Sequence, residues 1–141
     1  MCLTLFGCTK QKEVEDKGMK EEHLILSIDG TKLDVAWEDN DSVKALMEIV
    51  KTKGTLHVAS ENYGGFEQVG RLPESIVRKD RQMTTQAGDI VLYAGNSIVL
   101  FHGSNAWSYT KLGHIENLSH EELKEILDVN QISIQLSISI D

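Results

Sequence analysis

The sequence predicts a mainly β protein, a closed antiparallel barrel of about eight strands capped at its ends by two short α-helices. Three observations predict it. The stretch from Gly88 to Ile115, GDIVLYAGNSIVLFHGSNAWSYTKLGHI, holds two apolar runs, Ile90 to Tyr93 and Ile98 to Phe101, joined by Ala94-Gly95-Asn96. It reads as a central hairpin followed by an aromatic-bearing loop and a third extended piece. At the C-terminus Ile132, Ile134, Leu136, Ile138 and Ile140 alternate strictly with Ser133, Gln135, Ser137 and Ser139, which turns one strand face to the core and the other to water. Helical spacing occurs in only two short segments, without the βαβ rhythm of a parallel sheet.

Taken in order, the folded part begins near His23. Leu24, Leu26 and Ile28 alternate, Asp29-Gly30 is a tight-turn pair, and Leu33, Val35 and Trp37 alternate again, so residues 23 to 38 read as a β-hairpin. The period then changes. Val43, Leu46, Met47 and Val50 fall at i, i+3, i+4 and i+7, with Asn40 or Asp41 able to cap and Gly54 to stop the run, predicting an amphipathic helix from about 42 to 52. Met47 is read as core filler. Thr55 to Ser60 is a predicted strand. ENYGGFEQVGRLPES reads as a Gly-rich loop that becomes extended again toward Ile76 and Val77, with the only proline, Pro73, at an edge or turn. Gly64-Gly65 lacks the Lys-Ser/Thr pair and following helix of a phosphate loop, so it is read as a tight turn. The basic run VRKDRQ at 77 to 82 is read as a solvated loop. Ser119 with Glu122 forms a capping box and Leu118 with Leu123 has the spacing of a hydrophobic staple, so a second helix is expected from about 120 to 127.

The 141 residues, 40% of them hydrophobic, suit one domain with one core. A net charge of -8, with 14 Lys and Arg scattered among 22 acids, argues against nucleic acid as a partner, because phosphate binding needs a concentrated basic face. Both cysteines, Cys2 and Cys8, lie at the extreme N-terminus, leaving no disulfide staple or cysteine cluster for a metal, and no run approaches the ~20 apolar residues of a spanning helix.

Leu3 to Cys8, LTLFGC, resembles the lipobox of a bacterial lipoprotein signal, with Leu5 three residues before Cys8 and Gly7 directly before it. The resemblance implies that the Cys8 thiol carries a lipid that anchors the protein outside the cytoplasmic membrane. A full signal needs a basic segment and ~7 to 15 apolar residues before the cleavage site, and a start site placed too far downstream accounts for the shortness here. An N-terminus complete as given implies a cytoplasmic chain instead. Residues 9 to 22, TKQKEVEDKGMKEE within Thr9 to Glu22, are almost devoid of apolar side chains and read as a flexible charged linker, the spacer an anchored domain needs. The organisation is thus a partial signal at 1 to 8, a linker at 9 to 22 and a domain at 23 to 141.

Several segments together resemble the cyclophilin fold, and more closely the small bacterial cyclophilin-like proteins than the prolyl isomerases. They are the N-terminal hairpin and helix, LPESI at 72 to 76, TTQAGDIVLY at 84 to 93, GNSIVLF at 95 to 101 and NAWSYTKLGHI at 105 to 115. The resemblance implies an eight-stranded barrel with two helices and raises the question of prolyl isomerisation. Active cyclophilins carry a Phe-His-Arg segment whose arginine donates to the prolyl amide, easing rotation across a barrier of about 20 kcal/mol. Here the strand after the first helix has His57 and no arginine beside it. Against the Ser-Gln-Phe-Phe run of active members, Ser97 is kept while Ile98, Val99 and Leu100 replace the other three. Loss of both donors implies a non-catalytic member, since one preorganised donor alone is worth ~100-fold. A divergent isomerase would need Arg71, Arg78 or Arg81 in the groove; a scaffold or oligomerisation domain would show an apolar patch instead.

The residues expected to face a ligand groove are Tyr63, Phe66, Tyr93, His102, Trp107 and Tyr109, because aromatic rings beside glycines bury much area at small entropic cost. The expected ligand is a peptide or small molecule. The five histidines show no metal-ligand spacing and no GxSxG elbow surrounds Ser97, Ser104 or Ser108, so no cofactor, metal site or hydrolase is predicted. His102 with His114, flanking the aromatic loop, is the pair whose placement matters most. The oligomeric state is not legible in the sequence.

Overall fold

The computed structural model describes residues 20 to 141; Cys2, Cys8 and most of the predicted linker lie outside the described residues. The chain order is β1 (Glu22–Ile28), β2 (Thr31–Leu33), β3 (Val35–Trp37), α1 (Asp41–Lys53), β4 (Thr55–Tyr63), β5 (Glu67–Arg71), β6 (Arg81–Thr84), β7 (Asp89–Tyr93), β8 (Ser97–Phe101), β9 (Ala106–Ile115), α2 (His120–Leu127) and β10 (Gln131–Ile140). Every pairing is antiparallel, in the order β2-β1-β10-β4-β5-β8-β7-β9-β3, with β6 added on β9.

β2 and β3 are two halves of one strand broken at Asp34. The first half pairs with β1, from Ile28↔Thr31 to Leu26↔Leu33, and the second crosses to β9, from Val35↔Ile115 to Trp37↔Gly113. That crossing makes the sheet a closed eight-stranded barrel with two helices. The predicted hairpin over 23 to 38 is therefore corrected to a hairpin that ends at Leu33, after which the chain changes partner. The Asp29-Gly30 turn forms it, with both residues at positive φ, 49° and 88°. Trp37 Nε1 donates to the Leu24 carbonyl at 2.8 Å, holding the seam.

The helices sit as local chemistry dictates. Asn40 caps α1, its side chain accepting from the Val43 amide at 2.9 Å, and Ser119 and Glu122 form the expected reciprocal capping box on α2. α1 runs into the start of β4 and α2 into the start of β10; those strands are antiparallel neighbours, so the helices close opposite ends. Leu46 and Val50 of α1 and Leu123 and Leu127 of α2 belong to the same core as Leu26, Ile90, Leu92, Ile98, Leu100, Ile134 and Leu136.

Two expectations fail between residues 61 and 84. Most of the stretch read as a Gly-rich loop is a hairpin, β4 running to Tyr63 and β5 following, and Ile76 and Val77 are not in a strand. β5, EQVGR, hides its period because its inward positions are Gln68 and Gly70. Gln68 is fully buried, and a Cβ at Gly70 would lie 2.4 Å from Val58 Cγ1. The end of the basic run, read as loop, supplies β6, which pairs Met83 with Trp107 and Arg81 with Tyr109.

Candidate functional site

An antiparallel barrel needs only its inner face apolar, yet β7 and β8 are buried on both. Ile90, Leu92, Ile98 and Leu100 point into the central core. Val91, Val99 and Phe101 point outward, where with Tyr109 they form a second cluster backed by Phe66, Val69 and Met83. Tyr109, Phe66 and Val69 of this second cluster reach a hollow of about 390 Å3 on the outer wall, lined by Tyr63, Phe66, Glu67, Val69, Tyr93, Asn105, Trp107 and Tyr109, with Phe101 packed beneath.

Register explains the gathering. Tyr63 pairs with Glu67, and Glu67 with Phe101, so these three side chains share the outer face of β4, β5 and β8. Phe66 is laid over Phe101 by the β4–β5 turn: its carbonyl accepts from the His102 and Gly103 amides at 2.9 and 3.0 Å, and the rings stack at 6.5 Å. Only glycine permits this, since a Cβ at Gly64 would lie 2.3 Å from the Phe66 ring and one at Gly103 2.8 Å from its Cβ. Tyr109 meets Phe101 edge-on at 5.6 Å and Tyr93 at 6.1 Å. Its hydroxyl accepts from Asn105 Nδ2 at 2.8 Å, and Asn105 is pinned through its backbone to Thr85. Tyr109 is buried, with the buried Phe101 beneath it, whereas Tyr63, Tyr93 and Trp107 are 53, 41 and 55% exposed, so a closed base carries an open aromatic rim.

Five of the six residues expected to face a groove, Tyr63, Phe66, Tyr93, Trp107 and Tyr109, thus line one hollow. His102 does not. Phe101 points outward, so the next side chain turns the other way, toward the inward-facing Asn62, with Nε2 and Oδ1 at 3.3 Å. Burial holds its imidazole below the ordinary 6.5, only partly offset by Asp128. His114 instead meets Asp89, Nδ1 to Oδ1 at 2.7 Å, so the two histidines have separate partners. Among the described residues, one set of three potential ligand groups lies within metal-binding reach, the exposed Glu21, His23 and Asp141, where His23 Nε2 meets Asp141 Oδ2 at 2.7 Å.

Sequence reasoning missed Glu67, Val69 and Asn105. The signal for the first two was the 67–71 alternation, legible only once Gln68 and Gly70 are accepted as inward positions. Glu67 is the hollow's one charged side chain, and among the described residues no hydrogen bond or ion pair reaches its carboxylate. Burial pushes its pKa from 4.5 to about 6. Below pH 4.5 the folded and unfolded chains are both protonated and nothing is lost; above about 6 the buried charge costs the fold about 1–2 kcal/mol. Glu67→Gln is therefore expected to raise stability by about 1 kcal/mol at pH 7.5 and to leave it unchanged at pH 4, read from paired urea melts. The difference between the two proteins isolates Glu67 from His102, whose depressed pKa acts in the opposite sense, losing stability as pH falls through 6.5. A stabilisation equal at both pH values would exclude the charge as its cause.

Larger hollows flank α1, of about 720 and 540 Å3; their walls mix Lys with Asp and Glu, and in the smaller these charges surround an apolar floor that includes Leu24, Leu33 and Val43. Arg78 and Arg81 line the former; none of Arg71, Arg78 and Arg81 lines the aromatic hollow.

Fold and site together define a closed antiparallel barrel domain with an aromatic hollow on its outer wall, large enough for a small ligand or a side chain. The chain belongs to the cyclophilin-like family, whose model matches residues 26–139, from within β1 to the penultimate residue of β10. No curated protein matches it.

Proposed function

We propose that the domain is a non-catalytic binding module whose outer-wall hollow takes a peptide or small ligand, and that a lipid on Cys8 tethers it outside the cytoplasmic membrane. The observation that carries the binding reading is the convergence of Tyr63, Tyr93 and Trp107, all exposed, around the buried Tyr109 in one hollow, with Phe101 packed beneath. Large exposed aromatics cost free energy in an isolated soluble domain, and a contiguous set beside a polar group marks a contact surface. The non-catalytic part is supported by the hollow's lining, which has an isolated carboxylate and an amide but no guanidinium to act on a prolyl amide. Ile98, at the position matched to the isomerase glutamine, points into the central core. The tether rests on the Leu5-Phe6-Gly7-Cys8 pattern and the charged segment behind it.

Titrating the 15N-labelled full chain with a short Ala-Pro peptide, with exchange spectroscopy on the peptide's cis and trans signals, tests binding and catalysis in one sample. The expected result is a shift of the Trp107 indole resonance with unchanged cis/trans exchange. Accelerated exchange would overturn the non-catalytic reading, and silence here and in a thermal-shift screen of metabolites would remove the binding one. For the tether, the protein expressed in a bacterial host with its upstream codons should partition with membranes, and Cys8→Ser should release it; a wild-type chain found wholly soluble sinks the anchor.

A further inference from the structure

The charge inside the hollow restricts what can occupy it. Glu67 stands beside Tyr63 and Phe66, across from Phe101 in register, and among the described residues nothing neutralises or hydrogen-bonds its carboxylate. A neutral apolar ligand would strip the remaining water from that carboxylate and offer nothing in exchange, which is unfavourable. An anion would be repelled outright. A cation reverses both effects, pairing with the carboxylate while the negative faces of the surrounding rings attract it. The chain's net charge of -8 adds a general attraction for positive ligands. The hollow, about 390 Å3 and open on its rim side, accommodates a compact head group with its tail leaving to solvent.

We infer that the hollow takes an organic cation, an alkylammonium or methylated ammonium head seated among Tyr63, Phe66, Tyr93, Trp107 and Tyr109 and neutralised by Glu67. The inference rests on the reading of the hollow as the ligand site and names the chemistry of its occupant. Two sources share that chemistry, a free small amine and the lysine side chain of a peptide.

The test compares choline with 3,3-dimethylbutan-1-ol, which has the same shape without the charge, by NMR titration of the full chain, together with N-acetyl-lysine methylamide. Choline is expected to shift the Trp107 indole and the Tyr63 and Tyr93 ring signals with affinity at least about tenfold above its neutral isostere. Glu67→Gln should weaken choline about tenfold and leave the alcohol unchanged. The lysine derivative binding more tightly than choline assigns a peptide source, and the reverse order a free amine. Equal affinity for choline and the alcohol, or a Glu67→Gln variant that binds choline as well as wild type, overturns the inference. If the Ala-Pro peptide shifts the hollow while the cations do not, the cation inference falls and the binding reading stands; if no probe shifts it and the metabolite screen is silent, both fall.

Discussion

Replacing Gln68 by leucine is expected to lower the unfolding free energy by about 3 kcal/mol and to loosen the end of the barrel closed by α2. Gln68 is fully buried inside the barrel, yet every polar atom of its carboxamide has work to do. Nε2 donates to the Leu127 carbonyl at 2.8 Å and the Val129 carbonyl at 2.6 Å, and Oε1 accepts from the Ser60 hydroxyl at 2.9 Å. The first bond satisfies the carbonyl of the last residue of α2, which has no helical partner, and the second a carbonyl just past the helix end. Leucine has nearly the right volume, so the loss is polar: two carbonyls and a hydroxyl are left in a low-dielectric interior, each costing about 1–3 kcal/mol unless it finds another partner. Ser60 retains the weaker option of Ile132 O at 3.4 Å, and Val129 O is only partly buried, which keeps the sum near the lower end. Urea melts measure the total. Amide exchange should accelerate first in α2 and at the start of β10. A variant within 1 kcal/mol of wild type, with α2 protection unchanged, would show that water replaces the carboxamide.

The second large effect concerns the ring packed beneath the hollow. Phe101→Ala is expected to cost about 4 kcal/mol, since a fully buried ring is deleted from between Phe66 and Tyr109 and the outer wall cannot collapse without breaking strand register. Phe101→Leu keeps most of the volume and removes the ring contacts, worth about 0.5–1.5 kcal/mol for each aromatic pair, so it should fold with a modest loss. In that variant Phe66 and Tyr109 lose the ring that orients them, and affinity of the hollow for any ligand that shifts Trp107 should fall severalfold with Trp107 itself untouched. If Phe101→Leu binds as tightly as wild type, Phe101 is filler and the residues that line the hollow make the site by themselves.

The family-level fold was legible because its strongest signals are local. The Asp29-Gly30 turn, the capping box at Ser119 and Glu122, and the strict alternation through β10 each specify backbone conformation within a few residues. β5 and β6 were not legible because nothing in EQVGR or RQMT prefers a strand strongly enough; their conformation is set by partners, Val69 by Val99 and Met83 by Trp107. The aromatic residues of the site were visible as residue types near glycines. His102 could not be separated from them by type, and strand parity beside Phe101 turned it to Asn62 instead.

By itself, then, the sequence determined the β-rich class, the two capped helices, the central hairpin and the aromatic inventory, all properties of short segments or of composition. The tertiary structure alone decided where the barrel closes, at the break in the strand at Asp34, and which aromatics meet. It also decided that an unremarkable glutamate shares their hollow. Tyr63, Glu67, Phe101 and Tyr109 span 47 residues of sequence and become neighbours only through the pairing of β4 with β5, β5 with β8 and β7 with both β8 and β9. Side-chain direction in a sheet follows register, and register is fixed by the packing of the whole barrel.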